Sequence, residues 1–167
     1  INELSKLLSD NSDDIEIDIS SNKIIFFIDN LVLISKLIDG NFPDYTKVIP
    51  KNNNNHLTVK RINLLAAVDR VSTIANEKSP AIKFKLYNNL INLSTINNEN
   101  STATEDIEVN YVGDEIEIGF NSKYIMDILD NLEGDEIKIS FNDNTTPIIA
   151  QEQYSSDTIY VLMPMRV

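Results

Sequence analysis

Ile137-Lys138-Ile139-Ser140-Phe141, following the helical stripe Tyr124, Ile125, Ile128, Leu129 and Leu132, decides the fold, because the same pairing stands once before in the chain. Alternation of apolar and polar residues buries one face of an antiparallel strand and wets the other. Near the start, Leu4, Leu7 and Leu8 form a helical stripe and Ile15-Glu16-Ile17-Asp18-Ile19 alternates. The stripe corresponds to Ile125, Ile128 and Leu129 at a shift of 121 residues, and the strand 14–19 corresponds to 136–141 at a shift of 122. Strands 23–28 and 31–36 match 146–150 and 158–163.

A shorter symmetry lies inside the later copy. His56 to Asn76 reads as strand then helix, with Ile62, Leu65, Val68 and Ser72, flanked by Leu64 and Val71, as the helical stripe. Strands 81–86, 90–96 and the alternation Ile107-Glu108-Val109-Asn110-Tyr111 follow. Asp114 to Leu132 is again strand then helix, through Ile116-Glu117-Ile118, and strands follow to Met163. Asn121 or Ser122 is the N-cap of the last helix and Gly134 its stop. The unit is therefore βαβββ done twice, about 120 residues long, too long for a solenoid repeat of ~20–50 residues. The fold class is α+β, with antiparallel sheets and two helices packed on one side. Residues 46–167 are expected to be one whole domain, and 1–45 the end of a preceding one. Beginning at Ile1 inside a helix, the chain reads as part of something longer.

Composition narrows the function. The chain has 167 residues, 42% of them hydrophobic, which suits a packed core. With 14 Lys+Arg against 26 Asp+Glu, its net charge is -12, opposite to the usual balance of a nucleic-acid binder. Cysteine is absent, which removes disulfides, thiolate metal sites and a cysteine nucleophile. No apolar run reaches the ~18–20 residues of a membrane span. His56, the single histidine, has no partner histidine or cysteine for a metal. Asp10-Asn11-Ser12-Asp13-Asp14 lacks the glycine and terminal glutamate of a calcium loop. Four glycines, at 40, 113, 119 and 134, make no phosphate-cradling loop. The carboxylates Glu16, Asp18, Glu108 and Glu117 fall on the wet phase of their strands. No catalytic residue, metal or cofactor is expected; binding or scaffolding is the better class.

Two stretches break the alternating background. Leu37-Ile38-Asp39-Gly40-Asn41-Phe42-Pro43-Asp44-Tyr45, followed by Val48-Ile49-Pro50, sits at the junction of the two units. Tyr160-Val161-Leu162-Met163-Pro164-Met165-Arg166-Val167 ends the chain, apolar where termini are normally polar. Proline removes a ladder donor, and flexible thioethers suit adaptable binding surfaces. Together with Gly119-Phe120-Asn121 and Asn76-Glu77-Lys78, these stretches resemble the bacterial sliding clamp family, the β subunit of DNA polymerase III, over essentially the whole chain.

The resemblance implies a DNA-clamp fold: a ring of repeated domains whose helices line the hole and whose sheets form the rim. It implies a non-enzymatic, cytoplasmic processivity factor that encircles duplex DNA without reading sequence and tethers the replicative polymerase. Acid on outer sheets with sparse base on inner helices fits sliding, which needs only weak phosphate attraction. The implied DNA-facing bases are Lys6, Lys60, Arg61, Arg70 and Lys123, each equally readable as an ordinary solubilising charge. Implied partners are the polymerase alpha subunit, the clamp loader and other proteins that insert a short peptide into a pocket. That pocket would use Pro43, Val48, Asn121, Tyr124, Val161, Met163, Pro164, Met165 and Arg166. The alternatives to these two roles are that Asn121 only caps its helix and that Tyr124 is a core residue. Thr46-Lys47 stands where family members carry two bases, which removes one basic contact from the rim. A head-to-tail dimer contact is implied around Thr73, Ile74, Glu105 and Asp106, making a homodimer of the full-length chain and a monomer of these 167 residues. The alternatives from other classes are an acidic β-rich interaction module without a DNA role, and a carboxylate hydrolase, which needs a metal or a perturbed acid pair.

Overall fold

The computed structural model describes residues 2–8, 14–76, 80–97, 101–155 and 157–166. Residues 10–13 of the calcium-like stretch, Glu77 and Lys78, and the terminal Val167 lie outside the described residues. The chain divides into two compact units, Ile1–Pro43 and Asp44–Val167.

The second unit contains strand β4 (Asn55–Lys60), helix α2 (Arg61–Ser72), and strands β5 (Ala81–Tyr87), β6 (Leu90–Ile96), β7 (Thr102–Glu108) and β8 (Asn110–Tyr111). Then come β9 (Ile116–Asn121), α3 (Ser122–Asn131), β10 (Glu136–Phe141), β11 (Ile148–Glu152) and β12 (Tyr160–Leu162). The elements build two antiparallel sheets, ordered β12-β11-β10-β4-β8 and β7-β6-β5-β9. The four-stranded sheet takes β5, β6 and β7 from the first half and β9 from the second, and the five-stranded sheet takes β10, β11 and β12 from the second half and β4 and β8 from the first. β4 pairs with β10, Lys60 opposite Glu136; β9 pairs with β5, Asn121 opposite Ala81. Strands 56–60 and 114–119 thus occupy equivalent places, as the βαβββ duplication requires.

The two ends of the halves obey the same exchange. The sequence predicts one strand over 107–111, but the structure splits it at Val109. β7 stays on β6, whereas Tyr111 of β8 pairs with Leu57 of β4 in the other sheet. The break is held from the β5–β6 turn: the Val109 amide donates to the Asn89 carbonyl at 2.9 Å and the Tyr111 amide to Asn89 Oδ1 at 3.0 Å. Asn88 and Asn89 both have positive φ, 45° and 61°, as a two-residue type I′ hairpin demands and asparagine tolerates. At the end of the second half, Pro164 cannot continue β12, and the Met165 amide crosses to the Gly119 carbonyl of β9 at 2.8 Å. Between the halves, Gly113 leaves room for the Tyr111 ring; a Cβ there would lie 2.5 Å from the Tyr111 hydroxyl oxygen.

The helices α2 and α3 pack on each other and close the core. Their buried residues are Leu64, Ala67, Val68 and Val71 on α2 and Ser122, Ile125, Ile128 and Leu129 on α3. The sequence puts Ile62 in the α2 stripe; the structure leaves it 61% exposed and buries Ala67 instead. The strands add Leu57, Val59, Ile82, Phe84, Ile91, Leu93, Ile118, Ile137 and Phe141. Each such side chain contributes about 1.5–3 kcal/mol when fully buried. β11 begins at Ile148, later than predicted. Asp143 Oδ1 accepts from the Thr145 amide, the Thr145 hydroxyl and the Thr146 amide, which holds those residues in a turn. These bonds keep the Asp143 carboxyl well below the usual carboxylate range.

The first unit holds helix α1 (Asn2–Leu7) and strands β1 (Glu16–Ile19), β2 (Lys23–Ile28) and β3 (Leu31–Lys36), in one antiparallel sheet. This order repeats α3 and β10 to β12. Burial differs: Ile17 and Ile19 are exposed, whereas Ile139 and Phe141, their equivalents at the shift of 122, are buried. In the second unit those positions join one core cluster with the buried residues of two helices; among the described residues the first unit has one helix of six residues.

Candidate functional site

Asn121 ends β9 with extended φ and ψ of -75° and 116° and caps α3, its Oδ1 accepting from the Lys123 amide at 3.0 Å. This assigns the cap to Asn121 and puts Ser122 inside the helix. Tyr124 follows in the first turn of α3 and is 56% exposed, so it is not a core residue. The Met165–Gly119 bond carries the C-terminal run alongside β9, two residues ahead of Asn121. Pro164 and Met165 are half-buried and Met163 is exposed. Val161 is half-buried on β12, opposite Ile149. Arg166 is exposed and lines a cavity of about 340 Å³ with Ala81, Ile96 and Ala103. The structure therefore brings Asn121, Tyr124 and the 163–165 run to the start of α3.

Pro43 is the last residue of the first unit, and Val48 follows a short 3-10 helix, Tyr45–Lys47; both are exposed. Asp44 caps that helix, with Oδ1 accepting from the Thr46 hydroxyl at 2.6 Å and the Thr46 amide at 3.2 Å. The Thr46 hydroxyl is the main reason its carboxyl lies below the usual range. Lys47 is 3.5 Å from the Asp44 carboxylate.

The helix-side cations differ in what holds them. Lys6 pairs with Glu3 on α1 at 2.8 Å. The Arg61 guanidinium is half-buried and donates to the Leu129 carbonyl at 3.0 Å and the Gly134 carbonyl at 3.2 Å, closing the C-terminal end of α3. Sequence reasoning misses that role, although a signal is present. A cation in the first turn of a helix opposes the helix dipole and calls for another reason. Arg70 forms a two-pronged ion pair with Glu105, Nε to Oε2 at 3.0 Å. The pair raises the Arg70 pKa and lowers that of Glu105, chiefly through the hydrogen bond. Lys60 and Lys123 are exposed and form no ion pair among the described residues.

β7 is an edge strand of its sheet and carries Glu105, held by Arg70, and Asp106, which accepts from Asn92 at 2.6 Å. Thr73 is exposed just past α2, its hydroxyl on the Asp69 carbonyl, and Ile74 is half-buried. No three metal-ligating side chains come together among the described residues, and no described helix is long and apolar enough to cross a membrane.

Comparison with known proteins adds the lineage. Residues 46–166 match the family model of the C-terminal domain of the DNA polymerase III beta subunit, and residues 1–44 match that of the central domain. The chain is 36% identical over 167 residues to the beta sliding clamp of Caulobacter vibrioides and 33% identical over 165 residues to that of Escherichia coli K12. It covers 100% and 99% of itself in those matches but 45% of each relative, so it spans about half the length of the curated relatives it matches. Among solved structures, a DNA polymerase III subunit beta sliding clamp from Bartonella birtlesii, bound to griselimycin, matches with a TM-score of 0.90 at 39% identity. The Caulobacter crescentus pol III beta structure also gives 0.90, at 36% identity. Each covers 99% of this chain and 45% of the other. On these matches, and on a fold duplicated as the residues predict, the chain belongs to the DNA polymerase III beta subunit family.

Proposed function

We propose that this chain is part of a ring-shaped processivity factor that encircles duplex DNA, slides on it and tethers the replicative polymerase. The observation that carries the reading is family membership joined to the exchange-duplicated unit, with paired helices and an apolar terminal run at the start of α3. Residues 1–45 would be the end of the middle clamp domain and 46–167 the third domain. The role is non-catalytic and cytoplasmic: the tether is topological, and the chain's work is contact.

Partner peptides, from the polymerase alpha subunit, the clamp loader and other clamp-binding proteins, enter against Tyr124, Val161, Met163, Pro164 and Met165, with Val48 and Arg166 at the margins. The exposed Tyr124 and Met163 supply the apolar surface, and Met163 repacks for different partners. Asn121 spends its carbonyl on the helix cap, which leaves its amide N–H groups for a peptide backbone. Lys123 is the base best placed to meet phosphate, because no carboxylate among the described residues engages it; Lys60 forms no ion pair either, but it shares its cavity with Glu108 and Glu136. Lys6, Arg61 and Arg70 reach DNA only by sharing or leaving their present partners. Ring closure places β7, Thr73 and Ile74 against the first domain of a second full-length chain, a heterologous contact that needs both surfaces. These 167 residues carry one of the two and stay monomeric in dilute solution.

The test is primer extension by the replicative polymerase of the source with the full-length protein. Long products from single binding events support the proposal. Product lengths unchanged by the full-length protein overturn it.

A further inference from the structure

We propose that the second unit carries a second peptide groove, the twofold image of the first, which accepts a cationic rather than an apolar segment. The proposal extends the pocket reading above, since it takes the Asn121–Tyr124–Met163 site as its template. The N-caps Lys60 and Asn121 relate the strand–helix pieces of the halves at a shift of 61. The pairs Ala81–Asn121 and Glu136–Lys60, and Thr58–Asn110 and Gly119–Met165, relate their outer strands at a shift of 55. The images of Asn121, Tyr124, Met163, Pro164 and Met165 are therefore Lys60, Asn63, Glu108, Val109 and Asn110. All five line one cavity of about 410 Å³. It adjoins a second cavity of about 700 Å³, which shares Lys60, Glu136 and Tyr154 and adds Ile62 and Asp135.

The geometry is repeated but the chemistry is changed. Tyrosine and the methionines give way to asparagine, glutamate and asparagine. Glu108, Asp135 and Glu136 face the groove, and none has an ion-pair partner among the described residues. Glu152, on the rim, is engaged: its Oε1 accepts from the Glu133 and Gly134 amides at 3.0 and 3.1 Å. Among the described residues, Lys60 is the single cation lining the two cavities. Such a site repels phosphate and attracts arginine or lysine. Ile62, 61% exposed, and Tyr154, 91% exposed, supply flanking apolar surface. Ile62 has left the helix stripe for this groove. The occupant is thus a short segment of a partner protein that alternates basic and aliphatic side chains. Its bases meet Glu108 and Glu136, and its aliphatic groups meet Ile62 and Tyr154.

The experiment titrates the 167-residue chain with an acetylated, amidated hexapeptide of alternating arginine and leucine, followed by amide NMR shifts and calorimetry. The expected shifts cluster at residues 60–63, 108–110 and 152–155. Glu108→Lys with Glu136→Lys weakens binding at least about tenfold, and the milder Glu108→Gln with Glu136→Gln about threefold. Tyr124→Ala leaves binding unchanged, and glutamate in place of arginine in the peptide abolishes it. Shifts centred elsewhere, equal affinity in both charge variants, or equal binding of the glutamate peptide would overturn the proposal. A separate titration with an apolar clamp-binding peptide judges the first pocket. Its failure alongside a charge-dependent arginine titration would sink that reading and keep this groove.

Discussion

Replacing Arg61 by alanine separates a structural cation from a DNA contact. The side chain makes two hydrogen bonds, to the Leu129 and Gly134 carbonyls at the end of α3. Bonds from a charged donor contribute about 1.5–3 kcal/mol each when buried, and about 1 kcal/mol each is the fair value at this half-buried site. A cation at a helix C-terminus adds about 0.3–1 kcal/mol. Arg61→Ala should therefore cost about 2–3 kcal/mol. At roughly 3–6 °C per kcal/mol for a unit of this size, the melting temperature falls by about 6–18 °C. Arg61→Lys restores the charge but not the planar fork that reaches two carbonyls, so it recovers less than half of the loss. Lys123→Ala, an exposed change with no ion pair, shifts the midpoint by no more than about 2 °C. Circular dichroism melts of the three variants make the comparison. An Arg61→Ala midpoint within about 2 °C of the parent would refute the cap.

Other outcomes follow from the same geometry. Asn121→Ala loses the helix cap and about 1 kcal/mol, whereas Asn121→Asp keeps the stability; peptide calorimetry on the aspartate variant then reads the amide's own contribution. Deleting 163–167 from the full-length protein weakens a clamp-binding peptide by ~10²-fold or more, since several apolar contacts and the Met165–Gly119 bond leave together; unchanged calorimetry would remove the pocket. Asp143 has a depressed pKa in the folded state, so its contribution to stability is present above the unfolded carboxylate value of about 3.9 and is lost as pH falls below it. The gap in melting temperature between the parent and Asp143→Ala should be open at pH 7 and narrow steadily towards pH 2; a gap that widens in acid contradicts the turn's role. Leu64→Ala, at a fully buried helix position, should cost about 2–5 kcal/mol in urea melts, against under 1 kcal/mol for the exposed Ile62→Ala.

The duplication is legible because strand alternation and helix spacing are local signals, repeated here at fixed shifts. What the sequence does not show is where a strand changes sheets. Ile107-Glu108-Val109-Asn110-Tyr111 alternates without interruption, and its break at Val109 depends on Asn89, a turn residue about twenty positions earlier that holds both flanking amides. Ile62 is misplaced in the helix stripe for a similar reason. Spacing identifies a face within about one residue, and the face that is buried carries Leu64, Ala67, Val68 and Val71, so that Ala67 takes the place given to Ile62. In the candidate site, Tyr124 is open to either reading by its spacing alone, and its exposure decides for the surface. The roles of the cations are illegible. Arg61 and Arg70 find partners 68 and 35 residues away, which no local pattern encodes.

The central claim is a topological tether, and retention on DNA tests it most directly. Full-length protein, loaded on a nicked circular plasmid and passed through a sizing column at moderate salt, should elute with the DNA. Cutting the circle once should release it, because the ring slides off free ends and its phosphate contacts are weak. Protein that stays on the linear DNA, or never stays on the circle, would contradict the account.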